Sequence, residues 1–130
     1  MSDTHSKPYA ITTGHLAQFT STSKYYKWWG GLVLTDGAHF LATNGAAWLI
    51  DILASVRNVP AIRSEVSEIW KLTVDLEKHS ATIICTDGKS DTNIHYQQNI
   101  PFTDFPLPDL TIYVNYDRSY GKVVLLPSEY

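Results

Sequence analysis

Asp51 and Ser55 are the pair best placed to do acid–base chemistry. They lie four apart within 46–56, a run that is otherwise apolar, and residues at i and i+4 share a helix face. A carboxylate in such a setting is costly unless paired. Left desolvated, it holds its proton to higher pH and suits general acid–base work. The structural alternative is an Asp51 that accepts from a nearby backbone N–H, from Arg57 or from a tyrosine hydroxyl and so holds the helix in place. Polar pairs of that kind outnumber catalytic ones.

Tyr25, Tyr26, Trp28 and Trp29, flanked by Lys24 and Lys27, form the second cluster. Consecutive residues on a strand point to opposite faces, so one set can join the core while the other needs a cover. Trp and Tyr carry interface energy well, which makes these four the candidate partner surface; a second core layer under a loop is the structural alternative.

The remaining reactive side chains form no known constellation. His5, His15, His39, His79 and His95 lack metal-ligand spacing, and the single Cys85 cannot complete a thiolate zinc site. Ile83 and Ile84 beside Cys85 predict a buried, inert thiol. No Gly-x-Ser-x-Gly elbow and no phosphate-binding glycine loop occurs, Gly30-Gly31 alone being too little. The Thr-Asp pairs ending at Asp36, Asp87 and Asp104 read as Asx or Ser/Thr turns. No cofactor and no metal are expected.

Composition narrows the class further. At 130 residues with 44% hydrophobic content the chain is one domain with a sizeable core, and 12% aromatic content argues against disorder. A net charge of −3 without a basic stripe argues against nucleic acid as partner. One cysteine fits a reducing compartment. The absence of a basic start followed by an apolar run, and of any run near ~18–20 apolar residues, predicts no signal peptide and no membrane helix, hence a cytoplasmic location.

The elements that must position these residues follow from period and punctuation. Residues 1–11 are polar and read as a flexible N-terminus, with one domain over 12–130. Thr12 or Thr13 caps a short helix bearing Leu16 and Phe19. A strand through the aromatic cluster breaks or bulges at Gly30-Gly31. Thr35 or Asp36 caps a helix from Ala38 to Thr43 that ends at Asn44-Gly45. Ala46 to Val56 is the clearest helix, apolar over too wide an arc for a surface position, and Arg57, Asn58 and Pro60 terminate it. Five short strands follow near Ile69–Asp75, Ala81–Thr86, Asn93–Ile100, Leu110–Asn115 and Lys122–Leu126. Their spacing predicts an α+β fold: short N-terminal helices, then an antiparallel β-meander of about five strands packed on them. Between the third and fourth strands, Pro101, Pro106 and Pro108 exclude helix and ladder, while Phe102, Phe105 and Leu107 predict a stiff crossing that packs down. The C-terminal Pro-Ser-Glu-Tyr reads as the tied-down end of an edge strand, anchored by Leu125 and Leu126.

Several stretches together carry a resemblance: Leu16–Thr20 with Tyr25-Tyr26, Thr35-Asp36-Gly37, Ala47–Ser55, Trp70–Val74, Pro101–Pro108 and Leu126–Tyr130. With these the chain resembles a family of small bacterial proteins classified only as a domain of unknown function. The resemblance implies no activity, cofactor or catalytic residue. It implies a context of bacterial genomes, plasmids and phage-like elements, where small acidic proteins often act by blocking a host complex. The first reading is therefore a non-enzymatic interaction module of a mobile genetic element, in the manner of an anti-CRISPR inhibitor of host defence, with a protein partner at Tyr25–Trp29. The alternative is a small-molecule binder or an enzyme with a pocket near Asp51. A homo-oligomer formed through an open strand edge is compatible with either.

Overall fold

A computed structural model describes residues 11–90 and 93–130. His5, Asp91 and residues 1–10 of the expected flexible N-terminus lie outside the described residues. Ile11, also assigned to that terminus, is buried at 2% exposure and belongs to the core.

The helices are α1 (Thr13–Ala17), α2 (Asp36–Leu41), α3 (Ala47–Ser55) and α4 (Pro60–Arg63), and the strands are β1 (Tyr26–Lys27), β2 (Leu32–Leu34), β3 (Ser67–Asp75), β4 (Ser80–Thr86), β5 (Ile94–Ile100), β6 (Asp109–Asp117) and β7 (Gly121–Leu125). Thr12 caps α1 by accepting from His15 N, and Thr35 caps α2 by accepting from Ala38 N. A wide turn at Ala42–Ala46, where Asn44 and Gly45 leave helical dihedrals, separates α2 from α3. Pro60 opens α4 at its first turn, where its missing N–H costs nothing.

Among the described residues the sheet has seven strands in the order β1-β2-β7-β6-β3-β4-β5. The fold is α+β as expected, but the five-strand meander needs correction. Strands β3 to β7 pair antiparallel among themselves, yet β5 and β6 are not adjacent: β6 pairs with the free side of β3. The proline-rich segment explains this. It cannot form a hairpin, so it carries the chain from β5 past the ends of β4 and β3. Thr103 N donates to His79 O and Val74 N to Pro108 O along the way. Phe105 is fully buried in this crossing and Leu107 packs on the core, whereas Phe102 is 72% exposed. The N-terminal strands extend the same sheet, because β2 pairs with β7 in parallel. The sheet is thus mixed, and β7 is an interior strand rather than the expected edge.

Strand alternation sets the core. Glu68, Trp70, Leu72 and Val74 of β3, Ala81, Ile83 and Cys85 of β4, and Leu110, Ile112 and Val114 of β6 are buried. They form one cluster with Leu49, Ile50, Leu53 and Ala54 of α3, apart from Glu68, whose partners are polar. On the opposite face of the sheet, Thr73, Gln97 and Asn99 are exposed.

Candidate functional site

The structure joins two groups that are 22 and 23 residues apart in sequence. Asp51 Oδ1 accepts from Trp28 Nε1 at 3.0 Å and from Trp29 Nε1 at 2.7 Å. The expected single strand through the aromatics is instead a tight antiparallel pair, with Tyr26 opposite Leu34 and Lys27 opposite Val33. The chain reverses through Trp29–Gly31, where Gly30 and Gly31 hold φ of 76° and 81°, a region open chiefly to glycine. A Cβ on Gly30 would stand 3.1 Å from Ala54 O. Glycine therefore lets the turn lie directly on α3, and that approach brings both indoles to Asp51. Trp28 packs against the core, while Trp29 stays 55% exposed with its N–H held. Ser55 Oγ donates to Ile52 O at 2.7 Å instead of to Asp51. The carboxylate thus works as a clasp between the β1–β2 turn and α3.

The two tyrosines go separate ways. The Tyr26 ring stacks on His39 at 3.7 Å with 6° between planes, and its hydroxyl donates to Asp36 Oδ1 at 3.1 Å. Asp36 also accepts from Ser23 N and Ser23 Oγ. The Ser23 backbone N–H, foremost, holds the Asp36 carboxyl below the usual carboxylate range, and burial and the carboxylate beside it push the Tyr26 hydroxyl up. Tyr25 stacks on Tyr120 at 4.1 Å and 20°. It lines a cavity of about 210 Å³ together with Tyr116, Asn115, Val123 and Leu125. Tyr25, Tyr116 and Tyr120 are 43%, 55% and 47% exposed. Three further cavities are lined around Thr73 and Thr82, around Leu16 and Leu110, and around Ile69 and Tyr130; Asp51 lines none of the four.

The short motifs find a structural role. Glu129, in the turn after β7, accepts from Thr35 Oγ1 at 2.6 Å, from Gly37 N at 3.0 Å and from Leu126 N at 2.9 Å. A Cβ on Gly37 would lie 2.5 Å from Glu129 Oε1, so only glycine admits this carboxylate to the first turn of α2. Thr35-Asp36-Gly37 and the C-terminal Leu126–Tyr130 are two halves of one latch.

A model for a family of unknown function, DUF6876, matches residues 10–130. The chain belongs to that family. No curated protein and no solved structure matches it.

Among the described residues, the most buried ionic group of this DUF6876 chain is one that sequence reasoning missed. Glu68 has a fully buried side chain. Arg57 grips it with two bonds, Nη1 to Oε2 at 2.9 Å and Nη2 to Oε1 at 2.8 Å. Lys122 Nζ donates to Oε2 at 2.7 Å and Trp70 Nε1 to Oε1 at 3.0 Å. Lys122 also donates to Glu65 O and Ile62 O, and Glu65 Oε2 meets His95 Nε2 at 3.1 Å. The signal was present: Glu68 precedes Trp70, Leu72 and Val74 by strand period, which places a carboxylate inward. The network satisfies the acid fully, as burial demands, and ties α3, β3 and β7 together. Cys85 is buried, and that burial, with Glu68 adding to it, pushes its thiol up to about 12, which disfavours the thiolate. Among the described residues no three of His, Cys, Asp and Glu gather as a metal group would require, and no helix is long and apolar enough to cross a membrane.

Proposed function

We propose that the protein is a non-enzymatic interaction module that engages a protein partner through its exposed aromatics. One observation carries this reading: two tyrosines, Tyr25 and Tyr116, each about half exposed, line one cavity, and Tyr25 is already stacked on a third half-exposed tyrosine, Tyr120. Side chains ordered before binding lose little entropy on association, and Tyr and Trp dominate interface hot spots. Trp29 adds a second such side chain, its N–H fixed by Asp51 while the ring faces solvent. Asp51, the acid on which a catalytic alternative would rest, is engaged with two neutral indole donors, and Glu68 with cationic ones. The rival reading, a ligand pocket beside Asp51, draws no support from the four cavities described. Blocking a host defence complex on behalf of a mobile element is a sharper form of the interaction reading, and the identity of the partner decides it.

The test is affinity capture from a bacterial lysate with quantitative mass spectrometry of three proteins: the parent, Tyr25→Ala/Tyr120→Ala, and Thr73→Ala as a control elsewhere on the sheet. The expected result is a stoichiometric partner held by the parent and the control and depleted about tenfold by the double variant. Equal recovery by all three would overturn the tyrosine surface, and a parent that emerges alone would overturn the interaction reading.

A further inference from the structure

We propose that β5 is a dimerisation edge, pairing antiparallel with β5 of a second copy in a register centred on Gln98. The sheet has two ends, and they differ. At one end β1 offers two residues, too short to template another chain. At the other, β5 runs for seven residues, and among the described residues its backbone bonds run to β4 alone. Open edges are usually blunted by charge, proline or very short strands. Ile94–Ile100 contains no Lys, Arg, Asp, Glu or Pro. A bulge opposite Cys85 and Thr86 bends the start of β5, where His95 meets Glu65, and leaves Tyr96–Ile100 regular.

That regular part is self-complementary. Turned antiparallel about Gln98, it sets Tyr96 opposite Ile100 of the second copy, Gln97 opposite Asn99 and Gln98 opposite itself. Tyr96 and Ile100 follow the inward positions Cys85 and Ala81, and both pack on the core. The pairing therefore sets an aromatic–β-branched pair, a favoured cross-strand combination, on each side of a central Gln98–Gln98 pair, whose amides can bond to each other. Gln97 and Asn99 are exposed on the opposite face, where their amides donate and accept across the junction. No like charges meet. A strand that suits its own two-fold image is what an isologous interface needs, and this selects a second copy over an unrelated chain.

The test places charges on the two exposed positions and measures mass by sedimentation velocity over a concentration series reaching about 100 µM, because self-association is concentration-dependent. The parent should sediment as a dimer at the top of the series. Gln97→Lys/Asn99→Lys sets lysine opposite lysine at both symmetry-related pairs and should weaken association at least about tenfold. Gln97→Lys/Asn99→Glu sets lysine opposite glutamate in the same register and should associate as well as the parent or better. Circular dichroism confirms that each variant folds. A parent that stays monomeric throughout would overturn the proposal, as would two variants that associate equally.

Discussion

Asp51 and Glu68 are two carboxylates that the fold draws away from water, and they are held in different ways. Asp51 sits half-buried on α3 and receives two neutral indole N–H groups on a single oxygen. Glu68 lies beneath the sheet surface on β3 and receives a bidentate guanidinium, an ammonium and an indole. Donor strength follows depth. At the rim, water screens the charge and neutral donors suffice; in the core, an ionised carboxylate persists only beside opposite charge with all its lone pairs met. Glu68 can therefore lose no partner without leaving an uncompensated charge, whereas Asp51 can relax toward solvent.

The largest effect should come from Glu68→Ala, which strands two cations. A loss of about 3–5 kcal/mol in urea unfolding is expected, against a recovery of most of that loss in the combined Arg57→Met/Glu68→Leu/Lys122→Met variant. A cost no greater than that of Asp51→Ala would erase the distinction between the two acids. Next is the thiol within the same buried layer. With Cys85 pushed up to about 12, alkylation of the native protein at mildly alkaline pH should run about a thousandfold slower than that of a free cysteine, and denaturant should abolish the difference. Rapid native labelling would mean that this layer opens. Asp51→Ala should cost less, about 1–3 kcal/mol for two indole donors left unpaired, and the two indole N–H resonances should move together. Asp51→Asn keeps an acceptor oxygen and should restore most of that.

The smallest effect concerns Asp36, at the surface. Its folded pKa is depressed, foremost by the Ser23 N–H. The stability it contributes is therefore complete above the ordinary aspartate range and is lost as pH falls through the lower folded value. Thermal melts should show an acid limb that Asp36→Asn flattens. An unchanged limb would assign it to other carboxylates.

Much of the secondary structure was legible because period and caps are local properties. Thr12 and Thr35, each one of two candidate caps, cap α1 and α2, the latter beginning at Asp36 rather than Ala38, and the five C-terminal strands fall where alternation placed them. The segment Pro101–Pro108 was readable as a packed crossing. Its consequence, the insertion of β3 between β4 and β6, was not, because proline excludes a hairpin without naming the strand that receives the chain. Asp51, Trp28 and Trp29 were each identifiable, but not their union, since nothing in a helix period reports which turn will lie across it. Glu68 lies just before the strand expected from Ile69, and only the extension of β3 back to Ser67 brings it into the inward period of Trp70, Leu72 and Val74.

The sequence by itself determined the α+β class, the long helix over Ala47–Ser55, the five C-terminal strand segments and the supply of aromatics and acids, since these depend on side-chain size, branching and hydrogen-bonding within a few residues. Only the tertiary structure decided the parallel seam between β2 and β7, the latch of Glu129 on Thr35 and Gly37, and the convergence of Arg57, Lys122 and Trp70 on Glu68. Those contacts join residues far apart in the chain, and their partners are chosen by how layers pack and which buried charges must be met, neither of which is written into any local stretch.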